Sequence, residues 1–192
     1  MNLPSSEKTT RYSYKEYLTW DEDERWEIIE GIPFHMTPAP SSKHQEILGS
    51  IFALFYNYLV DKKEKVFVAP FEVRLSESEN EEEIFNVVQP DLTVVCDSSK
   101  IDQRGLKGSP DLVVEVLSPG IAAKRDKVVK FELYEKHRIK EYWIVDPHHE
   151  NIEVFLLEDE TYQNRNVYVK GDVFTVSIFS DLLVDVNQIF RT

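Results

Sequence analysis

The sequence predicts a mixed α/β fold, with one sheet-containing domain in a chain of 192 residues. Three observations predict it. Apolar, strand-like runs recur at residues 65–75, 91–96 and 112–117. A long stretch with apolar residues at three- and four-residue steps reads as an amphipathic helix. A strand–helix–strand unit at residues 112–147 has the length of a parallel crossover, which should be right-handed. A hydrophobic content of 42% with 12% aromatics supplies a core for one domain.

Taken in order, residues 1–11 read as a mobile tail ahead of a single domain spanning 12–192. Residues 12–18 suit a short helix. Trp26-Glu-Ile-Ile-Glu30 and residues 32–36 flank Gly31 and read as a strand pair. Thr37-Pro-Ala-Pro40 breaks that pattern. Ser41 or Ser42 then caps a helix to about residue 60, whose buried stripe is Ile47, Ile51, Leu54, Phe55 and Tyr58. Three strands follow. The connection at 97–110 carries glycine and charge but no helix, so the second and third strands should pair antiparallel. That pairing brings Asp91, at the start of one, to the same edge as Glu115, near the end of the other. After Ser118-Pro119-Gly120 a helix runs to about residue 137, and a strand follows at 141–146. Residues 152–157, 161–170 and 173–178 read as an antiparallel meander, and 181–190 as a closing helical turn.

Charged residues sit where a buried sheet should have none. In Asp111-Leu-Val-Val-Glu-Val-Leu117, alternation places Glu115 on the face of Val113 and Leu117. Glutamate is seldom fully buried unless paired, so Glu115 is either a functional acid or the partner of a buried base such as Arg74. Asp91 follows Pro90 and reads either as a second acid or as turn chemistry. Glu72 alternates with Arg74 and is a third acid or an edge residue. On the helix, at ~100° per residue, Asp126 and Lys130 share a face with Ala122, Val129 and Leu133, with Tyr134 beside them. The alternative there is a surface ion pair one turn apart.

Composition narrows the function classes. No apolar stretch is long enough to span a membrane. The N-terminus lacks the basic-then-apolar layout of a secretory signal. A single cysteine, Cys96, excludes an internal disulfide and reads as a small buried hydrophobe. A cytoplasmic setting is expected. The net charge of -13 opposes simple nucleic-acid binding. Residues 124–140, however, carry net +4, and this basic segment lies beside the candidate site. Glu77, Glu79, Glu81, Glu82 and Glu83 form an acidic stretch expected to be a solvated loop. Two or three carboxylates suit a hard cation, Mg²⁺ or Mn²⁺, better than zinc, because His148-His149 lack ligand spacing. The six scattered glycines form no phosphate loop. Three readings remain open: a metal-dependent nuclease, a non-catalytic interaction protein on the same fold, and a hydrolase of a small phosphate ester.

The motifs, in order, resemble those of the Uma-two family within the PD-(D/E)XK, restriction-endonuclease-like superfamily. They are Trp26-Glu-Ile-Ile-Glu-Gly31, Ser42-Lys-His44, Gln89-Pro-Asp-Leu92, Pro110-Asp-Leu-Val-Val-Glu-Val-Leu-Ser-Pro119, the stretch 126–134, and Glu141-Tyr-Trp-Ile-Val-Asp-Pro147. The resemblance implies an αβββαβ core, with an N-terminal hairpin and C-terminal antiparallel strands added, and an endonuclease acting on nucleic acid, most naturally DNA. It implies metal held by Asp91 and Glu115. The superfamily expects lysine two residues after the second acid, but position 117 is Leu. The resemblance places that ammonium on Lys130 instead. Asp126 and Tyr134 would then position Lys130, with Glu72 and His44 as supporting groups. A homodimer would suit two-strand cuts.

Overall fold

In a computed structural model, residues 10–21, 24–36, 40–120 and 125–191 are described. The expected tail through residue 9, the Thr37-Pro-Ala break, and residues 121–124, with Ala122 and Lys124, lie outside them. The elements run α1 (Tyr14–Tyr17), β1 (Trp26–Ile29), β2 (Ile32–His35), α2 (Ser42–Leu59), β3 (Lys65–Val68), β4 (Val73–Arg74), β5 (Val87–Val88), β6 (Leu92–Val95), β7 (Ile101–Asp102), β8 (Gly105–Lys107) and β9 (Leu112–Val116). A π-helical turn, Arg125–Lys130, continues directly into α3 (Phe131–Lys136). Then come β10 (Glu141–Asp146), β11 (Asn151–Glu158), β12 (Thr161–Val169), β13 (Val173–Thr175), β14 (Leu183–Asp185) and α4 (Val186–Ile189).

Local chemistry starts each of the elements that matter for the site. The hydroxyl of Ser41 accepts the His44 N–H at 3.2 Å, satisfying an orphan donor of α2 and orienting its first turn. Gly31 holds φ near 80° in the β1–β2 turn, a conformation glycine adopts at little cost. β9 is buried over its whole length because strands flank it on both sides.

Two six-stranded sheets form, in the orders β2-β1-β5-β4-β8-β7 and β12-β11-β10-β9-β6-β3, plus the separate pair β13-β14. β6 and β9 are antiparallel with Leu92 opposite Val114, as the missing crossover helix requires. β9 and β10 are parallel with Glu115 opposite Ile144. Alternation along β9 divides the core. Leu112, Val114 and Val116 join Trp143 and Val145 against Ile47, Ile51 and Phe55 of α2. Val113 and Leu117 join Tyr142 and Ile144 against Val73, Val88 and Leu106 of the first sheet and Leu133 and Tyr134 of α3. Glu115 therefore projects into the layer between the two sheets. Among the described residues, no helix is long and apolar enough to cross a membrane.

Four local expectations are corrected. The run 65–75 is two strands in different sheets, because Pro70 lacks the N–H a continuous ladder needs and the chain changes sheet there. The connection 97–110 contains a small hairpin, β7–β8, extending the first sheet. The run at 173–178 leaves the meander: β13 pairs with β14. The 181–190 segment is therefore part strand, and only Val186–Ile189 is helical.

Phe55 is fully buried, with its ring centroid 5.6 Å from that of Trp143. Phe55→Ala removes the contact that seats α2 on the second sheet. Denaturant unfolding should show a loss of about 3–5 kcal/mol in stability with little change in slope.

Candidate active site

Asp91 stands at the start of β6, one residue before the strand pairs with β9. Its Oδ2 accepts the Val116 N–H at 2.8 Å and lies 3.2 Å from His44 Nε2. Sheet register and helix capping thus meet on one carboxylate oxygen. Oδ1 has no partner among the described residues, and the side chain keeps 22% of its exposure. Burial weakens protonation of His44, but the Asp91 hydrogen bond and charge outweigh it and raise the imidazole above its ordinary value.

Opposite lies a buried cation. Lys130 is 2% exposed, with its ammonium 2.8 Å from Glu115 Oε1, 2.9 Å from Glu27 Oε1 and 3.6 Å from Asp126 Oδ1. Stripping an ammonium of water costs several kcal/mol. Burial accordingly opposes its charge, but Glu115, Glu27 and Asp126 together hold its pKa above the usual lysine range. The π turn brings Asp126 and Lys130 to the same buried face, and the hydroxyl of Tyr142 donates to the Asp126 carbonyl at 3.0 Å. Tyr134, one α-turn further, donates to Glu115 Oε1 at 2.7 Å.

The acids are not equivalent. Burial pushes Glu115 up to about 8, with Asp126, Asp91 and Glu27 acting in the same direction against Lys130. Burial also raises Asp126, with Lys130 opposing. Burial works against ionised Glu27 as well, but Lys130, Arg125 and the Gln89 N–H, at 3.0 Å, outweigh it and lower its pKa. Four carboxylates thus crowd around Lys130 and Arg125. A carboxylate whose pKa is raised by burial, and further by its acidic neighbours, is one that a further cation would ionise.

Arg25, His44, Asp91, Glu115, Arg125 and Lys130 line one cleft of about 200 Å³. A larger groove, of about 670 Å³, lies between α2 and the C-terminal elements and contains none of these groups. Among the described residues, no three His, Cys, Asp or Glu side chains are grouped to hold a metal ion. Two carboxylates on this cleft, Asp91 and Glu115, could hold a cation. Each has one oxygen tied to protein donors and another without a hydrogen bond among the described residues. Hard oxygen donors, few in number, fit Mg²⁺ or Mn²⁺, which retain several waters.

The structure brings Asp91, Glu115, Lys130, Asp126 and His44 to this cleft, with Tyr134 behind Glu115. Glu72 is not among them: its carboxylate takes the hydroxyls of Tyr14 at 3.1 Å and Tyr17 at 2.8 Å. Arg74 is not the partner of Glu115, since it binds Asp102 at 2.7 Å. Four cations of the basic segment are paired: Lys127 with Glu153, Lys136 with Glu30, Arg138 with Glu160 and Lys140 with Asp111. Cys96 is half-buried, and burial pushes its thiol up to about 12, in keeping with an unreactive side chain. Sequence reasoning missed Glu27, which is wholly buried. The available signal was the same one that exposed Glu115: an acid between apolar residues in a strand, Trp26-Glu-Ile-Ile.

The Uma2 family profile, described as "Putative restriction endonuclease", matches residues 14–187. The uncharacterized protein slr1290 of Synechocystis sp. (strain ATCC 27184 / PCC 6803 / Kazusa) is 28% identical over 164 residues, 84% of this chain and 76% of the relative. A crystal structure described as "a putative nuclease belonging to DUF820 from Anabaena variabilis ATCC 29413" superposes with a TM-score of 0.72 at 20% identity, covering 93% of this chain and 97% of that one. That likeness is one of fold, the mixed α/β, restriction-endonuclease-like architecture.

The cluster makes a stability prediction. Lys130→Met leaves Glu27, Glu115 and Asp126 buried together and should cost about 3–5 kcal/mol. Adding Glu27→Gln should restore part of that loss, because one stranded charge is removed. Thermal or denaturant unfolding of the two single variants and the double variant measures the coupling.

Proposed function

Because the chain belongs to the Uma2 family, we propose that it is a metal-dependent endonuclease hydrolysing phosphodiester bonds of nucleic acid, with DNA as its substrate. The observation that carries this reading is the opening of Asp91 and Glu115 onto one cleft, with Lys130 2.8 Å from Glu115. Asp91 and Glu115 would hold Mg²⁺ or Mn²⁺, which when bound supplies Lewis acidity and a lowered pKa for its water.

The remaining work falls to the chain's own groups. Lys130 has three N–H donors. Two face Glu115 and Glu27, while Asp126, at 3.6 Å, lies beyond hydrogen-bond reach. The third is left to meet a water or a phosphate oxygen. Tyr134 and Lys130 together fix the Glu115 carboxylate, and Asp126 keeps Lys130 charged. His44 and the Val116 N–H fix the rotation of Asp91, so its second oxygen faces the ligand without reorganisation.

The same fold without catalysis is a second reading, favoured by the net charge of -13 and by the ion-paired surface cations. Cleavage separates the two. Plasmid, linear duplex, single-stranded DNA and RNA incubated with Mg²⁺ or Mn²⁺ should include at least one cut substrate. Asp91→Asn and Glu115→Gln should each lower the rate by about two orders of magnitude, and a chelator should abolish it. Calorimetry should show divalent-ion binding that weakens in Asp91→Asn. Cleavage that persists in excess chelator, or in both variants, would remove this assignment.

A further inference from the structure

The cleft holds two guanidinium groups to which the mechanism above gives no task. The side chain of Arg125 is 13% exposed, and its Nε is buried without a partner. Among the described residues, none of its five N–H donors makes a hydrogen bond, and its ion-pair contact with Glu27 is long, at 3.7 Å. Other arginines of the chain are committed more tightly: Arg74 lies 2.7 Å from Asp102 and Arg104 2.7 Å from Glu81. Arg25, on the approach to β1, gives Nε and Nη2 to the neutral amide oxygen of Gln89 at 3.1 and 2.8 Å. No carboxylate neutralises it among the described residues.

A buried guanidinium without hydrogen bonds is costly. Here it lines the same small cleft as Asp91, Glu115 and Lys130. Lys130 is largely neutralised by its three acids, so it brings little net charge to an incoming anion. The surface cations of the 127–140 segment are paired with acids outside this cleft. In a chain of net charge -13, the positive charge that the described residues of this cleft offer a phosphate is thus concentrated on two planar, fork-shaped donors beside the candidate metal ligands. Such forks match phosphate oxygens in pairs.

We infer that Arg25 and Arg125 bind phosphodiester oxygens of a nucleic-acid backbone in this cleft and set the register of the strand against Asp91 and Glu115. The inference rests on the nuclease reading for its ligand, but it is tested without chemistry. In this role Gln89 is a positioning residue: its side chain holds Arg25, and its N–H holds Glu27, the resting neighbour of Arg125.

The test is binding of a short fluorescein-labelled DNA duplex, read by fluorescence anisotropy in EDTA across a salt series. Arg25→Met and Arg125→Met should each weaken binding about tenfold to a hundredfold. Each should also flatten the dependence of log affinity on log salt by about one unit. Arg125→Lys, which keeps the charge without the fork, should lose affinity but retain the salt slope. Arg138→Met, whose partner is Glu160 outside the cleft, should bind as the unsubstituted chain does. Thermal melting identifies the folded variants. If Arg125→Met does not fold, Arg25→Met and Arg125→Lys carry the test. Unchanged affinity in folded Arg25→Met and Arg125→Lys, with an unchanged slope in Arg25→Met, overturns the inference, as does a failure of the unsubstituted chain to bind. Binding that needs both arginines, with no cleavage in Mg²⁺ or Mn²⁺, would remove the nuclease reading and leave the phosphate-binding pair standing.

Discussion

The burial of one ammonium organises this protein. Lys130 ties β1 of the first sheet, through Glu27, to β9 of the second, through Glu115, and both to the π turn, through Asp126. None of these groups is stable alone in an apolar layer. Together they make a polar plug between two sheets whose other contacts are aliphatic and aromatic. The plug also dictates details around it. The turn before α3 is wider than α-helical, which suits a segment that must send Asp126 and Lys130 inward together, and such widened turns are frequent at functional sites. Tyr134 then reaches Glu115 from the next turn.

That arrangement trades stability for a poised electrostatic state. Replacing a buried ion cluster by apolar side chains of similar volume often stabilises a fold. Keeping four carboxylates near one another does the reverse, and burial, with the neighbouring acids acting in the same direction, pushes Glu115 up to about 8. The excess negative charge lies at the one place where Asp91 and Glu115 reach the cleft. In the proposed reading a cation arriving there would relieve a repulsion already present, so the folded protein would bear part of the cost of assembling the site before any ligand binds. The arginines extend the same pattern in the opposite sign. The two arginines line the same cleft of about 200 Å³ as the acids, and in the proposed reading they would meet an anion where Asp91 and Glu115 would meet a cation.

Much of the site could be read from the chain because its signals are local. Glu115 stands out as an acid between Val114 and Val116, and period-two alternation fixes its face. Asp91 falls beside it once the 97–110 connection is seen to lack a crossover helix, which leaves antiparallel pairing as the natural arrangement. Asp126, Lys130 and Tyr134 recur at spacing four; Lys130 and Tyr134 do meet the same carboxylate and Asp126 flanks Lys130, although the first of those turns is π and not α. Glu72 shows where the reasoning ran out. It alternates with Arg74 as Glu115 does with Val113, yet it immediately precedes a strand of the other sheet and ends between two tyrosines. The basic segment is legible only in part for a similar reason: four of its cations form separate ion pairs once Glu30, Glu153, Glu160 and Asp111 are folded against it.

By itself, then, the sequence determined the class of fold, the long capped helix, the antiparallel and parallel neighbours of β9, and a short set of chemically improbable acids and bases. These follow from periodicity, capping and connection length, which act over a few residues to a few tens of residues. Only the tertiary structure decided that Glu27 is the second partner of Lys130, that Arg25 and Arg125 share the cleft, and that residues 65–75 serve two sheets. Those facts depend on which sheet faces which. Facing is settled by the packing of whole apolar layers, a sum over many distant contacts that no local spacing encodes.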